Sequence, residues 1–187
     1  MADFNEAYNK TILGNEGGLN PGDGEAFTYR GIDESQNPHW PGFLLVHSIY
    51  DENKQKGIEY VNSILLQNTD LQKHIQDFYR VDYWNILGLY LINDQQIANL
   101  LFDDAVNPCE ISCAKLMQTA CVLCNVPVVV DGVIGNNTIT AINAINPVTY
   151  YNAVIGIRTF HYNHEVIKHP QQRQWLKIWL ARLVKYK

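Results

Sequence analysis

The chain has 187 residues, 47% of them hydrophobic and 18% charged, which suits one ordinary domain or two small ones and excludes a disordered polymer. No run approaches 18 consecutive apolar residues, so no transmembrane helix is expected. A net charge of −5 argues against a general nucleic-acid binder.

The opening residues, MADFNEAYNKTILGNEGG, carry acids early and lack a basic start followed by an apolar run. A protein made in the cytoplasm without a signal peptide is therefore expected. Residues 3–14 read as an amphipathic helix with Phe4, Ala7, Tyr8, Ile12 and Leu13 on one side, stopped by Gly17-Gly18. Residues 19–32 are rich in Gly, Asp and Pro, then turn β-branched and aromatic, which predicts a loop leading into a short strand or hairpin. Helices are predicted at about 43–54, 57–67 and 71–88, the last opened by the capping cluster Asn68-Thr69-Asp70. Further helices fit 94–106 and 110–124. Val126–Val130, ended by Asp131-Gly132, is strand-like, and Asn136 or Asn137 can cap a helix over 137–145. Pro147 opens another to about 167, and Pro170 begins the last. In that helix Trp175, Ile178, Trp179, Arg182 and Leu183 form a stripe that reads as core. The expected fold class is mostly α, with a small loop or β insertion after the first helix.

Charge is unevenly placed. No acid follows Glu165, whereas Lys168, Arg173, Lys177, Arg182, Lys185 and Lys187 do. This leaves 8 basic and 19 acidic residues in positions 1–165, and the basic end reads as a solvated helix face. Cys109, Cys113, Cys121 and Cys124 are spaced C-x3-C-x7-C-x2-C, unlike paired zinc knuckles. Three of them fall on one face of the predicted helix, so buried free thiols are expected. His161, His164 and Glu165 have helical metal-ligand spacing but no clear third element, and read as surface residues. No metal or other cofactor is implied.

The most informative stretch is Glu16-Gly17-Gly18 with Asp23 and Thr28. A carboxyl at the negative end of a helix dipole holds its proton more readily, which a general acid requires. Two glycines leave room for a polymer beside it. Asp23 and Thr28 return on a loop and strand that can face Glu16 and hold a water. By composition alone, a Glu before two glycines also fits an ordinary helix end.

Several motifs occur in order: E-G-G at 16–18, D-x4-T at 23–28, G-I at 31–32, Y-W at 83–84, F-D-x-A-V-N at 102–107 and D-G-x-x-G-x-x-T at 131–138. Together with Arg158, Trp175, Trp179 and Arg182 near the end, they resemble glycoside hydrolase family 108. These are lysozyme-like N-acetylmuramidases of phage and bacterial lysis or secretion loci. Glu25-Ala26 departs from two glycines usual there, and Leu19 from a frequent aromatic.

The resemblance implies a lysozyme-like helical fold with a catalytic region at 1–93. A helical, predicted peptidoglycan-binding region at 94–187 would pack on it. It implies catalytic roles for Glu16, Asp23 and Thr28 in cleaving the β-1,4 bond between N-acetylmuramic acid and N-acetylglucosamine. Tyr83 and Trp84 face different sides of a helix, so one would stack on sugar while the other packs. Asp103 and Asn107, four apart, bind sugar or make structural hydrogen bonds. The implied partners are peptidoglycan glycan strands and a holin-type membrane protein for export, with action in the periplasm or wall. Two alternatives share these residues: a lytic transglycosylase, using the same acid without an attacking water, and a non-catalytic wall-binding module.

Overall fold

The computed structural model describes residues 1–22, 26–108 and 111–186. A first helix, α1 (Phe4–Tyr8), runs into a π-helical turn (Asn9–Leu13). A hairpin of β1 (Thr28–Tyr29) and β2 (Ile32–Asp33) follows, and the rest is helical. This is the mostly α, lysozyme-like class expected, with its small β insertion after the first helix. Among the described residues the hairpin is the only sheet. The chain divides into two compact units, residues 8–81 and residues 1–7 with 82–187.

In the first unit, α2 (Gly42–Asn53), α3 (Ile58–Gln67) and α4 (Thr69–Tyr79) surround the hairpin residues. The pattern of α4 is plain in its sequence: Leu71, Ile75 and Tyr79, four apart, are all buried. Its start is fixed by Asn68, whose side chain accepts from the Leu71 N–H at 2.9 Å. Val61 and Leu65 of α3 and Phe43 and Val46 of α2 close the same core with Ile12, Tyr29 and Ile32. The predicted helix over 71–88 keeps α-helical form only to Tyr79 and continues as a π-helical turn to Asn85.

The second unit is built on α5 (Gln95–Val106), capped by Asp94 and buried without a break from Ile97 to Asp104. Around it lie α6 (Cys113–Leu123), α7 (Asn136–Ala144), α8 (Pro147–Lys168) and α9 (Arg173–Leu183). Phe4 returns to this unit, edge-on to Trp84 and Phe102. Its buried centre is ionic. Asp103 accepts from Arg158 at 2.9 Å, Arg182 at 2.6 Å and the Tyr186 hydroxyl at 2.7 Å, while Arg158 also reaches Asp104 at 3.0 Å. Burial pushes the Asp104 carboxyl up to about 6, with the Arg158 charge opposing it.

Three local expectations are corrected. Val126–Val130 pairs with no strand among the described residues, and Val129 stands 75% exposed, because the run lacks a partner edge. The helix after it is preceded by Gly135 in an extended conformation, with no side-chain cap from Asn136 or Asn137. The α9 stripe is not core throughout: Trp175 is 49% and Ile178 58% exposed, and only Leu183 is buried. Amphipathic spacing on α9 outruns the surface available to cover it.

Candidate functional site

Glu16 stands directly after the first helical segment, its N–H donating to the Ile12 carbonyl at 2.9 Å. The residue is half-buried, while Gly17 and Gly18 beyond it are exposed. Neither glycine has a positive φ. Their uses differ. A Cβ at Gly17 would meet nothing within 4 Å among the described residues apart from its chain neighbours, so it would face open space. A Cβ at Gly18 would fall 2.6 Å from the Asn62 Oδ1. That oxygen accepts from the Leu19 N–H at 2.7 Å and ties the loop to α3.

The loop then closes on itself. Asn20 and Thr28 exchange two backbone hydrogen bonds, of 2.8 and 2.9 Å, which pins Thr28 between Asn20 and β2. Asp23 and Glu25 lie between these anchors and outside the described residues. Thr28 itself is half-buried at the start of the hairpin.

Thr28 pairs with Asp33 and Tyr29 with Ile32, leaving Arg30-Gly31 as a two-residue turn. Both turn residues have positive φ, 51° at Arg30 and 78° at Gly31, as a type I′ hairpin requires. This turn meets the acid. The Arg30 Nη1 donates to the Glu16 main-chain carbonyl at 3.0 Å. A Cβ on Gly31 would lie 2.8 Å from the Glu16 Oε2 and 2.9 Å from the Tyr79 hydroxyl. Tyr79 braces the turn from α4, its hydroxyl donating to the Arg30 carbonyl at 2.6 Å. Burial pushes the Tyr8 phenol up to about 12, with the nearby Arg30 charge pulling the other way. The Glu16 carboxylate therefore lies against the Gly31 backbone, on a turn that Tyr79 braces and that grips the Glu16 main chain through Arg30.

Other sequence candidates fall in the second unit. Trp84 is 2% exposed and packs edge-on against Phe4 and Phe102, which leaves no ring face for a sugar. Tyr83 is half-buried, and burial raises its phenol above the ordinary value. Asp103 is fully buried in the ionic centre, so its oxygens serve Arg158, Arg182 and Tyr186 rather than a sugar. Asn107 ends α5, its N–H donating to the Asp103 carbonyl. It also lines a cavity of about 520 Å³ with Trp179, His161, Glu165 and Gln172. Asp131 is consumed in its own turn, accepting from Val133 N–H and from Gln118, and these bonds hold its carboxyl below the ordinary range.

Cys113 and Cys121 are buried, the Cys113 thiol donating to the Leu101 carbonyl at 3.3 Å, and Cys124 is partly covered. Cys109 lies outside the described residues. Among the described residues no group of three or more His, Cys, Asp or Glu side chains could hold a metal ion.

The sequence model of glycosyl hydrolase 108 matches residues 9–108, more than half of the chain, including Glu16, the hairpin and α5. The chain belongs to this family. No curated protein matches it. Membership of glycosyl hydrolase 108 makes it a glycoside hydrolase, of a kind that acts on peptidoglycan in general. The family match ends at residue 108, so it covers only residues 94–108 of the expected wall-binding region and leaves 109–187 outside it. Arg30, Tyr79 and Asn62 were not singled out by sequence reasoning. The signal for Arg30 was faint: a non-glycine immediately before Gly31, between two short β-prone runs.

Proposed function

We propose that this glycosidase is an N-acetylmuramidase, cleaving the β-1,4 bond between N-acetylmuramic acid and N-acetylglucosamine. The observation that carries the reading is the setting of Glu16: a half-buried carboxyl at a helix end, set against the Gly31 turn and followed by two exposed glycines. Glu16 protonates the leaving glycosidic oxygen as the bond to the anomeric carbon breaks. Asp23, on the loop pinned at Asn20 and Thr28, takes the second carboxylate role. With the Thr28 hydroxyl it orients the water that adds to the anomeric carbon, or steadies the developing positive charge. The water's proton leaves to a base, so one glycosidic bond is exchanged for two hydroxyl groups.

Residues 94–187 serve as the wall-binding region, with Asn107 and Trp179 in the α8–α9 cavity as its glycan contacts. Trp179 offers an aromatic ring and Asn107 an amide, a pairing suited to sugar. The substrate lies in the wall, so the protein acts after export, with a holin-type membrane protein as the partner that releases it.

Lysis of purified peptidoglycan, followed as turbidity, tests the catalytic assignment. Glu16→Gln keeps size and polarity but cannot act as an acid, and the rate is expected to fall about 10²–10⁴-fold with the fold intact. Asp23→Asn lowers it as well, and Glu25→Gln far less. Near-wild-type lysis by folded Glu16→Gln overturns the reading.

A further inference from the structure

Position 30 is an unexpected place for an arginine. The first residue of a type I′ turn must take φ > 0, where Asn, Asp and Gly are at ease and a long side chain is strained. Arg30 takes φ 51° nonetheless. Its Nε is also buried with no hydrogen-bond partner among the described residues, a second unfavourable feature of the same side chain. An observed backbone strain that a simpler residue would remove points to a use for the side chain.

That use is visible in the hydrogen bond of the guanidinium. Arg30 Nη1 grips the main-chain carbonyl of Glu16, at the point where the first helix ends and the chain becomes glycine-rich. On the side where a Gly17 Cβ would point, nothing among the described residues lies within 4 Å apart from its chain neighbours. Meanwhile the Arg30 carbonyl is held by the Tyr79 hydroxyl at 2.6 Å, and α4 fixes Tyr79, which is 1% exposed. The chain of contacts runs from a buried helix residue, through the turn, to the backbone of the acid.

We propose that Arg30 is a positioning residue for the glycosidase reaction: it locks the Glu16 backbone, and so the reach of its carboxyl, at the expense of a strained turn. This rests on Glu16 being the general acid. Arg30 acts through Glu16, so its loss changes the alignment of the acid rather than the affinity for glycan. Misplacing a catalytic group by about 1 Å can cost on the order of 10²-fold in rate.

The test compares Arg30→Asn, Arg30→Lys and Glu16→Gln in the full chain. Initial rates of reducing-end release from purified peptidoglycan give kcat and KM, and thermal melts give stability. Arg30→Asn suits the left-handed turn, so its melting temperature is expected to equal or exceed that of the native chain. Its kcat is expected to fall about 10–100-fold, with KM within about twofold. Arg30→Lys keeps a cationic donor and recovers most of the loss, although it keeps the strain. If Glu16→Gln is inactive but folded Arg30→Asn works at the native rate, the positioning role is wrong and the acid assignment survives. If Arg30→Asn loses activity only in step with its stability, Arg30 is structural and the proposal also falls. Native activity in Glu16→Gln would instead remove the reading beneath it.

Discussion

Replacing Gly31 by alanine separates placement of the acid from stability of the fold. The added carbon would stand 2.8 Å from the Glu16 Oε2 and 2.9 Å from the Tyr79 hydroxyl, at a backbone φ of 78°. A left-handed conformation costs a non-glycine residue about 1–2 kcal/mol. Pushing the Tyr79 hydroxyl off the Arg30 carbonyl forfeits about 0.5–1.5 kcal/mol more. The sum, about 1.5–3.5 kcal/mol, corresponds to a drop of roughly 3–14 °C in melting temperature for a chain of this length. The larger effect falls on the rate. The Glu16 carboxylate ends a flexible side chain and gives way to the new methyl more readily than backbone does, so it shifts while the backbone stays. A displacement near 1 Å predicts about a 10²-fold loss of hydrolysis. Gly156→Ala, in α8, is the control, since its methyl meets nothing within 4 Å among the described residues, and it should melt no lower and lyse normally. Turbidity assays at a temperature well below both melting transitions keep the two effects apart. Full activity in Gly31→Ala would refute the claim that the turn sets the position of Glu16.

Three further outcomes follow from the second unit. Asp103→Ala removes one of the two carboxylates paired with the buried Arg158 and an acceptor for Arg182 and Tyr186, so urea unfolding should show a loss of about 3–5 kcal/mol; a loss below about 1 kcal/mol would contradict the buried network. The Asp104 carboxyl sits at about 6, above its ordinary 3.8, so the folded chain binds more protons than the unfolded one between about pH 4 and 6. Its contribution is full below that window and falls as pH rises through it; Asp104→Asn should flatten this slope in urea midpoints, and an unchanged slope would refute the assignment. Burial raises the Cys121 thiol to about 11, so a thiol reagent at pH 8 should label it only on unfolding, with all cysteines reduced and no zinc bound. Rapid labelling of native Cys121, or unfolding on chelation, would contradict this.

Much of the helical frame was legible in the sequence because one-sided burial writes itself at intervals of three and four, as Leu71, Ile75 and Tyr79 do. Caps with a side-chain acceptor were legible too, Asn68 among them. The misread places share a different cause. Val126–Val130 has the residues of a strand, but a strand exists only through a partner edge, which no local pattern reports. Trp175 and Ile178 keep helical spacing while facing solvent, because spacing shows that a helix has a face and not that something covers it. Both π-helical turns, at 9–13 and 80–85, arise from packing that periodicity does not encode. At the candidate site, Glu16, Asp23 and Thr28 could be picked out by residue type and order. Arg30 and Tyr79 could not, since their roles come from one backbone carbonyl each, brought together across 14 and 49 residues.

The most direct test of the central claim is mass spectrometry of fragments released from purified peptidoglycan by the native protein and by Glu16→Gln, in water enriched with heavy oxygen. The account predicts fragments ending in a reducing N-acetylmuramic acid that carries one heavy oxygen at its anomeric hydroxyl, and almost none from Glu16→Gln. Fragments ending in anhydro-muramic acid without heavy oxygen would contradict hydrolysis. Equal release by the Glu16→Gln protein would contradict the role assigned to Glu16.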